Sequence, residues 1–175
     1  MIKILPTFNP IFRGERKEPE KQVETYFSNE ERNNSAGNGS YKIELLNKND
    51  QKSIGTITYD YDLNEKIKMI KIRTVGVSPE YQRQEFSMQL YHRLLDLVKE
   101  KGLAGIRSDE IVQGGALASW KKLKEEGYNV LVHQNLQDKF DEFCKTYNDG
   151  RVFKEYLKAP SGQSVFNINL ADKKL

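Results

Sequence analysis

The sequence predicts one α/β domain built on a mixed, mostly antiparallel and splayed central sheet flanked by helices. Three observations carry the prediction. Between Tyr41 and Val77, three stretches with alternating apolar residues are separated only by short polar turns, which is the pattern of an antiparallel meander. The third stretch runs through Pro79 into a long amphipathic segment, and the short apolar run Leu103 to Arg107 follows it; a strand–helix–strand unit crosses over, so that run is expected parallel to the strand before the helix. Within the third stretch the apolar parity changes: Ile67 and Met69, then Ile70 and Ile72, then Val75 and Val77. Either both faces of this strand are covered or a β-bulge sits near Arg73 and Thr74. The bulge is the expectation, and it would splay the strand from its neighbour and leave backbone N–H and C=O groups available to a ligand.

Met1 to Leu5 alternates and reads as a first strand ended by Pro6, and the stretch between Pro10 and Pro19 reads as irregular. Glu20 to Arg32 reads as a short charged helix with Val23, Tyr26 and Phe27 on its apolar face. Asn33 to Ser40, NNSAGNGS, supplies turn formers and no core residue. Strands are expected over Tyr41 to Leu46 and Ser53 to Asp62. After Pro79, Phe86, Leu90, Leu94, Leu97 and Val98 form one helical stripe with Met88, Tyr91 and Leu95 beside it, and Gly102 stops the helix.

Gln113-Gly114-Gly115 opens a second helix with Ala116, Leu117, Trp120 and Leu123 inward, closing at Gly127. Tyr128 to His133 reads as a strand, and Leu136 to Tyr147 as a helix with Phe140, Phe143 and Cys144 inward. Val152, Phe153, Tyr156 and Leu157 suggest a last short helix, and Ser164 to Leu170 a final alternating strand.

At 175 residues the chain is the size of one domain with a sizeable core. No apolar run approaches the ~20 residues of a membrane span, and no apolar region follows the first charges as in a secretory signal, so a cytoplasmic location is expected. One cysteine, Cys144, excludes an internal disulfide, and with two histidines it leaves too few ligands for a zinc site. The 28 basic residues are interleaved with 25 acidic ones, which reads as a solvated surface and argues against a nucleic-acid partner.

The turn Gln82 to Ser87 places backbone N–H groups at the start of a helix, an arrangement that suits an anion. Here the residues resemble a known family. VGVSPEYQRQEFSMQL, Val75 to Leu90, is similar to the acyl-CoA-binding motif of the GNAT N-acyltransferases, in which a strand ending Val-x-Pro leads to Gln/Arg-x-x-Gly-x-Gly/Ala at a helix start. The resemblance extends through IRSDEIVQGGALASWKKLKEEGYNV. It divides the single domain into a divergent N-terminal segment (1–40), a recognisable core (41–133), a helical insertion (134–163) and a last strand (164–170).

The resemblance implies that Val75 and Val77 bind the pantetheine arm and that Gln82, Arg83, Gln84, Glu85, Phe86 and Ser87 surround the pyrophosphate. It implies acetyl-CoA as co-substrate, an amine on a small molecule or protein as acceptor, and a main-chain N–H that polarises the thioester. Two departures stand out. Glu85 and Ser87 replace the motif's two glycines, and Trp120 or Leu123 stands where the family often has a tyrosine acid.

Ser108 and Asp109 follow a strand's carboxyl end, with Asp109 a candidate base and an N-cap of the next helix as the plainer role. Tyr59 and Tyr61 are candidates to line an acceptor groove. His92, His133 and Cys144 read as packing or surface residues. The competing expectation is an inactive GNAT-fold binding or structural protein, for instance a bacteriophage protein of the host cytoplasm or virion. The Phe140–Tyr147 face in the insertion is a candidate contact for a homo-oligomer or larger assembly.

Overall fold

Alternation of apolar and polar residues between Ser40 and Val77 builds the three longest strands among the described residues. The computed structural model describes residues 23–33, 39–63, 66–82, 84–147 and 156–170, so the expected strand Met1 to Leu5 lies outside the described residues. β1 (Thr25–Phe27) and β2 (Glu31–Asn33) both pair with β3 (Ser40–Asn47), which is followed by β4 (Ser53–Asp62) and β5 (Met69–Val77). Among the described residues three α-helices follow β5: α1 (Phe86–Glu100), α2 (Gly115–Glu125) and α3 (Gln137–Thr146). Between and after them come β6 (Gly105–Arg107), β7 (Ile111–Gln113), β8 (Val130–Val132), β9 (Tyr156–Lys158) and β10 (Phe166–Asn169).

The main sheet runs β1-β3-β4-β5-β6-β10-β8, with β2 also on β3, and β7 and β9 form a separate antiparallel pair. Among the described residues only the β5–β6 contact is parallel, as the crossover through α1 requires. The predicted mixed, mostly antiparallel sheet is thus the observed one.

Two sequence expectations are corrected. The helix expected over Glu20 to Arg32 is extended chain where it is described, β1 and β2, whose partners lie on one edge of β3 with a one-residue offset between the two registers. The i, i+3, i+4 spacing of Val23, Tyr26 and Phe27 imitates a helix, but cross-strand pairing decides such a short segment. The short helix expected around Val152 to Leu157 is a strand, β9, where it is described, paired to the unforeseen β7.

Residues directly opposite in a sheet share a face. Tyr61, Ile70, Ile106, Ile168 and Val130 therefore form one row across five strands, and Asp60, Lys71, Arg107, Asn167 and Leu131 form a row on the other side. The first side carries the core. Ile43, Leu45, Ile57, Tyr59 and Ile70 are buried with Leu90, Leu94, Leu95 and Val98 of α1, each aliphatic side chain contributing about 1.5–3 kcal/mol by leaving water. Trp120 of α2 stacks on Phe166 at 5.0 Å, and Phe140 of α3 meets the same ring edge-on at 4.7 Å. All three helices lie on this first face, and among the described residues no helix covers the second. None of them is long and apolar enough to cross a membrane.

Candidate functional site

The parity change in the third stretch is a β-bulge. Thr58 pairs with Thr74 and Tyr59 with Ile72, leaving Arg73 as the extra residue of β5. Beyond it, β5 continues along β4 to Val77, but its pairing with β6 stops at Lys71↔Arg107. The two parallel strands fork there. From Ile72 to Val77 the β5 edge facing away from β4 has no strand partner among the described residues, so its main chain is available to an extended ligand. Val75 and Val77, opposite Ile57 and Gly55, lie on this arm and are half-buried.

The arm ends in a 3-10 turn, Pro79–Tyr81, and α1 begins at Phe86, five residues on. Gln82 Nε2 donates to the Val77 carbonyl at 3.1 Å, and Gln84 Nε2 to the Glu80 carbonyl at 3.3 Å, so both side chains fold back onto the turn. Phe86 is buried against Tyr81, with ring centroids 5.8 Å apart. Arg83 lies outside the described residues.

Glu85 is left-handed, with φ +65° and ψ +8°, the conformation for which the motif's glycine is suited. Its carboxylate points outward, 74% exposed, and accepts from Lys122 Nζ of α2 at 2.6 Å. Ser87 is tied to the same helix through Ser119 Oγ at 3.3 Å. Both residues that replace motif glycines are therefore in contact with α2.

On the second face, at the base of the fork, charges alternate. Lys71 Nζ is 3.1 Å from Asp109 Oδ1, Arg73 Nε 2.5 Å from Asp60 Oδ2, and Arg73 Nη1 3.6 Å from Asp109 Oδ2. Arg107 pairs with Asp62 one step below. Burial by itself would raise the Asp109 carboxyl, but the Glu110 N–H at 2.9 Å and the Lys71 and Arg73 cations outweigh it and hold the group below the ordinary carboxylate value. A carboxylate so held is a poor proton acceptor.

Asp109 does not cap α2 either, because β7 intervenes and the N-cap is Gly114. Ser108 is 2% exposed; its Oγ donates to the Asp109 carbonyl at 2.8 Å and accepts the Phe166 N–H at 3.0 Å. Ser108 therefore fastens the last strand to the sheet, and its hydroxyl is not presented to a substrate.

Tyr59 and Tyr61 lie on the helix-bearing face. Both hydroxyls donate to Glu30 Oε1, whose other oxygen is 3.4 Å from Lys101 Nζ. Burial first, and then the bond to Glu30, raises both phenols above their ordinary value. An unfolded tyrosine ionises near pH ~10 while these two keep their protons in the fold, so the unfolded state binds fewer protons and stability falls as pH rises through that region. The urea midpoint is expected to drop between about pH 9 and pH 11, and Tyr59→Phe to drop less over the same interval. Equal losses in both proteins would show that the Tyr59 hydroxyl is not responsible.

Trp120 and Leu123, the two residues that the resemblance offers at the position of a tyrosine acid, are both buried, at 1% and 0% exposed. Sequence reasoning missed Arg73 and Asp60 as site residues. The parity break marked their neighbourhood, but their partners come from three separate strands and strand ends.

The site thus belongs to a mixed sheet that forks after a short parallel contact, with a bulge at the crotch and a helix start at the tip of one arm. No family model matches the chain, and no curated protein matches it in sequence. Its structure is similar to that of an acetyltransferase of the GNAT family from Staphylococcus aureus Mu50, at 16% identity over 77% of this chain and 71% of that one, TM-score 0.44. It is also similar to the ribosomal-protein-S18-alanine N-acetyltransferase of Escherichia coli, at 16% identity, 73% and 67% coverage and TM-score 0.45. A third similar structure is the spermidine N-acetyltransferase of Vibrio cholerae in complex with CoA and spermine, at 15% identity, 77% and 66% coverage and TM-score 0.37.

Proposed function

We propose that this chain transfers an acetyl or similar acyl group from acyl-CoA to an amine by direct attack in a ternary complex. The observation that carries the reading is the unpaired arm of β5, Ile72 to Val77, beyond the bulge. Pantetheine is an extended chain with two amides, and it adds to such an edge as a further strand does. Val75 and Val77 hold it there, and the turn from Gln82 to Ser87 receives the pyrophosphate. This agrees with the residue pattern Val75 to Leu90.

A main-chain N–H near the bulge then polarises the thioester carbonyl. The neutral amine nitrogen attacks the carbonyl carbon, the C–S bond breaks, CoA leaves as a thiolate, and the proton released by the amine neutralises it. Asp109, with its carboxyl held down, keeps Lys71 and Arg73 in position and is not the group that removes this proton. Trp120, sealed in the core, does not protonate the thiolate.

A second reading, a binding or structural protein on the same scaffold, is favoured by one observation: the position that the motif gives to a glycine carries Glu85, which adds a Cβ and a carboxylate to the turn, although that carboxylate is turned outward onto Lys122. Acetyl-CoA binding measured by calorimetry and thermal shift decides between the two. The native protein is expected to be stabilised by the ligand through mass action. Glu85→Gly is expected to bind about fivefold tighter, since one nearby like charge at the protein surface amounts to roughly 1 kcal/mol. Its thermal midpoint should be no lower, because a left-handed non-glycine residue costs about 1–2 kcal/mol and the exposed Lys122 pair returns less. If neither protein binds, the transferase reading fails; binding by the variant alone favours the second reading.

A further inference from the structure

The charged row at the base of the fork has a composition that the transfer reaction by itself does not require. On the face without helices, the order across the crotch is Asp60, Arg73, Asp109, Lys71: negative, positive, negative, positive. The side chains are 21%, 41%, 31% and 17% exposed in that order, so an approaching molecule first meets the Arg73 guanidinium flanked by two carboxylates. Arg73 is the bulge residue itself, so the device that opens the edge of β5 also carries this side chain to the mouth of the fork. Beside it the Thr58 and Thr74 hydroxyls bond to each other at 2.6 Å and are neutral.

Resting on the transferase reading, we infer that Arg73 selects the acceptor and that the acceptor is an amino acid, an amine that carries its own carboxylate. A dianion such as a phosphate is repelled by Asp60 and Asp109, and a simple ammonium is repelled by Arg73 and Lys71. A zwitterion satisfies both signs. Its carboxylate takes the planar guanidinium in a paired contact, and its ammonium is left to the carboxylates that Arg73 releases, giving one proton to solvent before the neutral nitrogen attacks. The exchange keeps the number of ion pairs constant, so the partly buried charges are not left unpaired. Asp60 Oδ1 is a buried oxygen with no hydrogen-bond partner among the described residues, and the incoming amine supplies an N–H donor to the carboxylate that holds it.

Thiol release from acetyl-CoA is measured with β-alanine and glycine and with n-propylamine and ethylamine, which lack the carboxylate. The amino acids are expected to exceed the plain amines in kcat/KM by about tenfold or more, the scale of one paired guanidinium–carboxylate contact. In Arg73→Gln that ratio collapses toward one through KM for the amino acid, with KM for acetyl-CoA unchanged, and Arg73→Lys restores part of it. Plain amines used as well as amino acids by the native protein, or an unchanged ratio in Arg73→Gln, overturn the inference. If acetyl-CoA does not bind or no acceptor is used, the transferase reading is what has failed. What remains of the inference, an amino acid held at Arg73, is then decided by direct titration of the chain with β-alanine, read by NMR at the Thr58, Lys71 and Arg73 amides. Shifts abolished by Arg73→Gln support it, and no shifts overturn it.

Discussion

Gly105→Ala is expected to abolish the native fold or to destabilise it by more than about 4 kcal/mol, a loss comparable with the whole stability of many domains. A Cβ at this position would lie 1.8 Å from the Ile168 carbonyl oxygen, 2.9 Å from its carbon and 3.1 Å from Asn169 Cα. All three are backbone atoms of β10, so no rotamer change relieves the clash. Moving β10 away breaks its ladder with β6, and moving β6 breaks the parallel contact with Met69 that sets the fork. The control is Gly76→Ala, where a Cβ meets nothing within 4 Å, and a change of less than about 1 kcal/mol is expected. Urea denaturation followed by far-UV circular dichroism reads both, and a cooperative Gly105→Ala protein within about 1 kcal/mol of the native chain would refute the packing described.

Trp120→Ala is expected to cost about 3–5 kcal/mol, the range for removing a large buried aromatic. The indole joins three elements: it stacks on Phe166 of β10, lies edge-on to Tyr91 of α1 at 5.8 Å, and belongs to α2. Its removal leaves a cavity that Phe140 and Phe166, themselves in contact, cannot fill without giving up their own packing. Trp120→Phe should keep the stacked plane and lose less than half as much. Circular dichroism is the probe because Trp120 is the chain's one tryptophan and the variant removes the fluorophore. A cost near that of an exposed residue, about 0.5 kcal/mol, would show that the stripe is not core.

Much of this arrangement was legible in the residues. β3, β4 and β5 are long enough for alternation to show, and α1 and α2 carry apolar stripes closed by glycine. The bulge was legible because a strand buried on one side cannot change parity without an extra residue. β1, β2, β7 and β9 were not, since three residues hold no period and their partners lie far along the chain: Ile111 pairs with Lys158 and Thr25 with Asn47. The fork follows from backbone geometry that parity betrays, whereas the Asp60–Arg73–Asp109 contacts depend on which side chains the fold brings to one spot. Asp109 illustrates the difference. Its place at a strand end suggested a base, and two cations contributed by β5 make it a poor one.

The position of β10 bears on how the chain is assembled during synthesis. This strand, Phe166–Asn169, sits between β6 and β8, although both precede it in the sequence by more than thirty residues. Until it emerges from the ribosome, the facing edges of β6 and β8 have no neighbour to join, while the β3–β4–β5 meander and α1 can already pack. The nascent chain therefore passes through a stage in which one half of the sheet is formed and the other waits for a keystone. During that interval the unpaired edges of β6 and β8 are open to pairing with another chain.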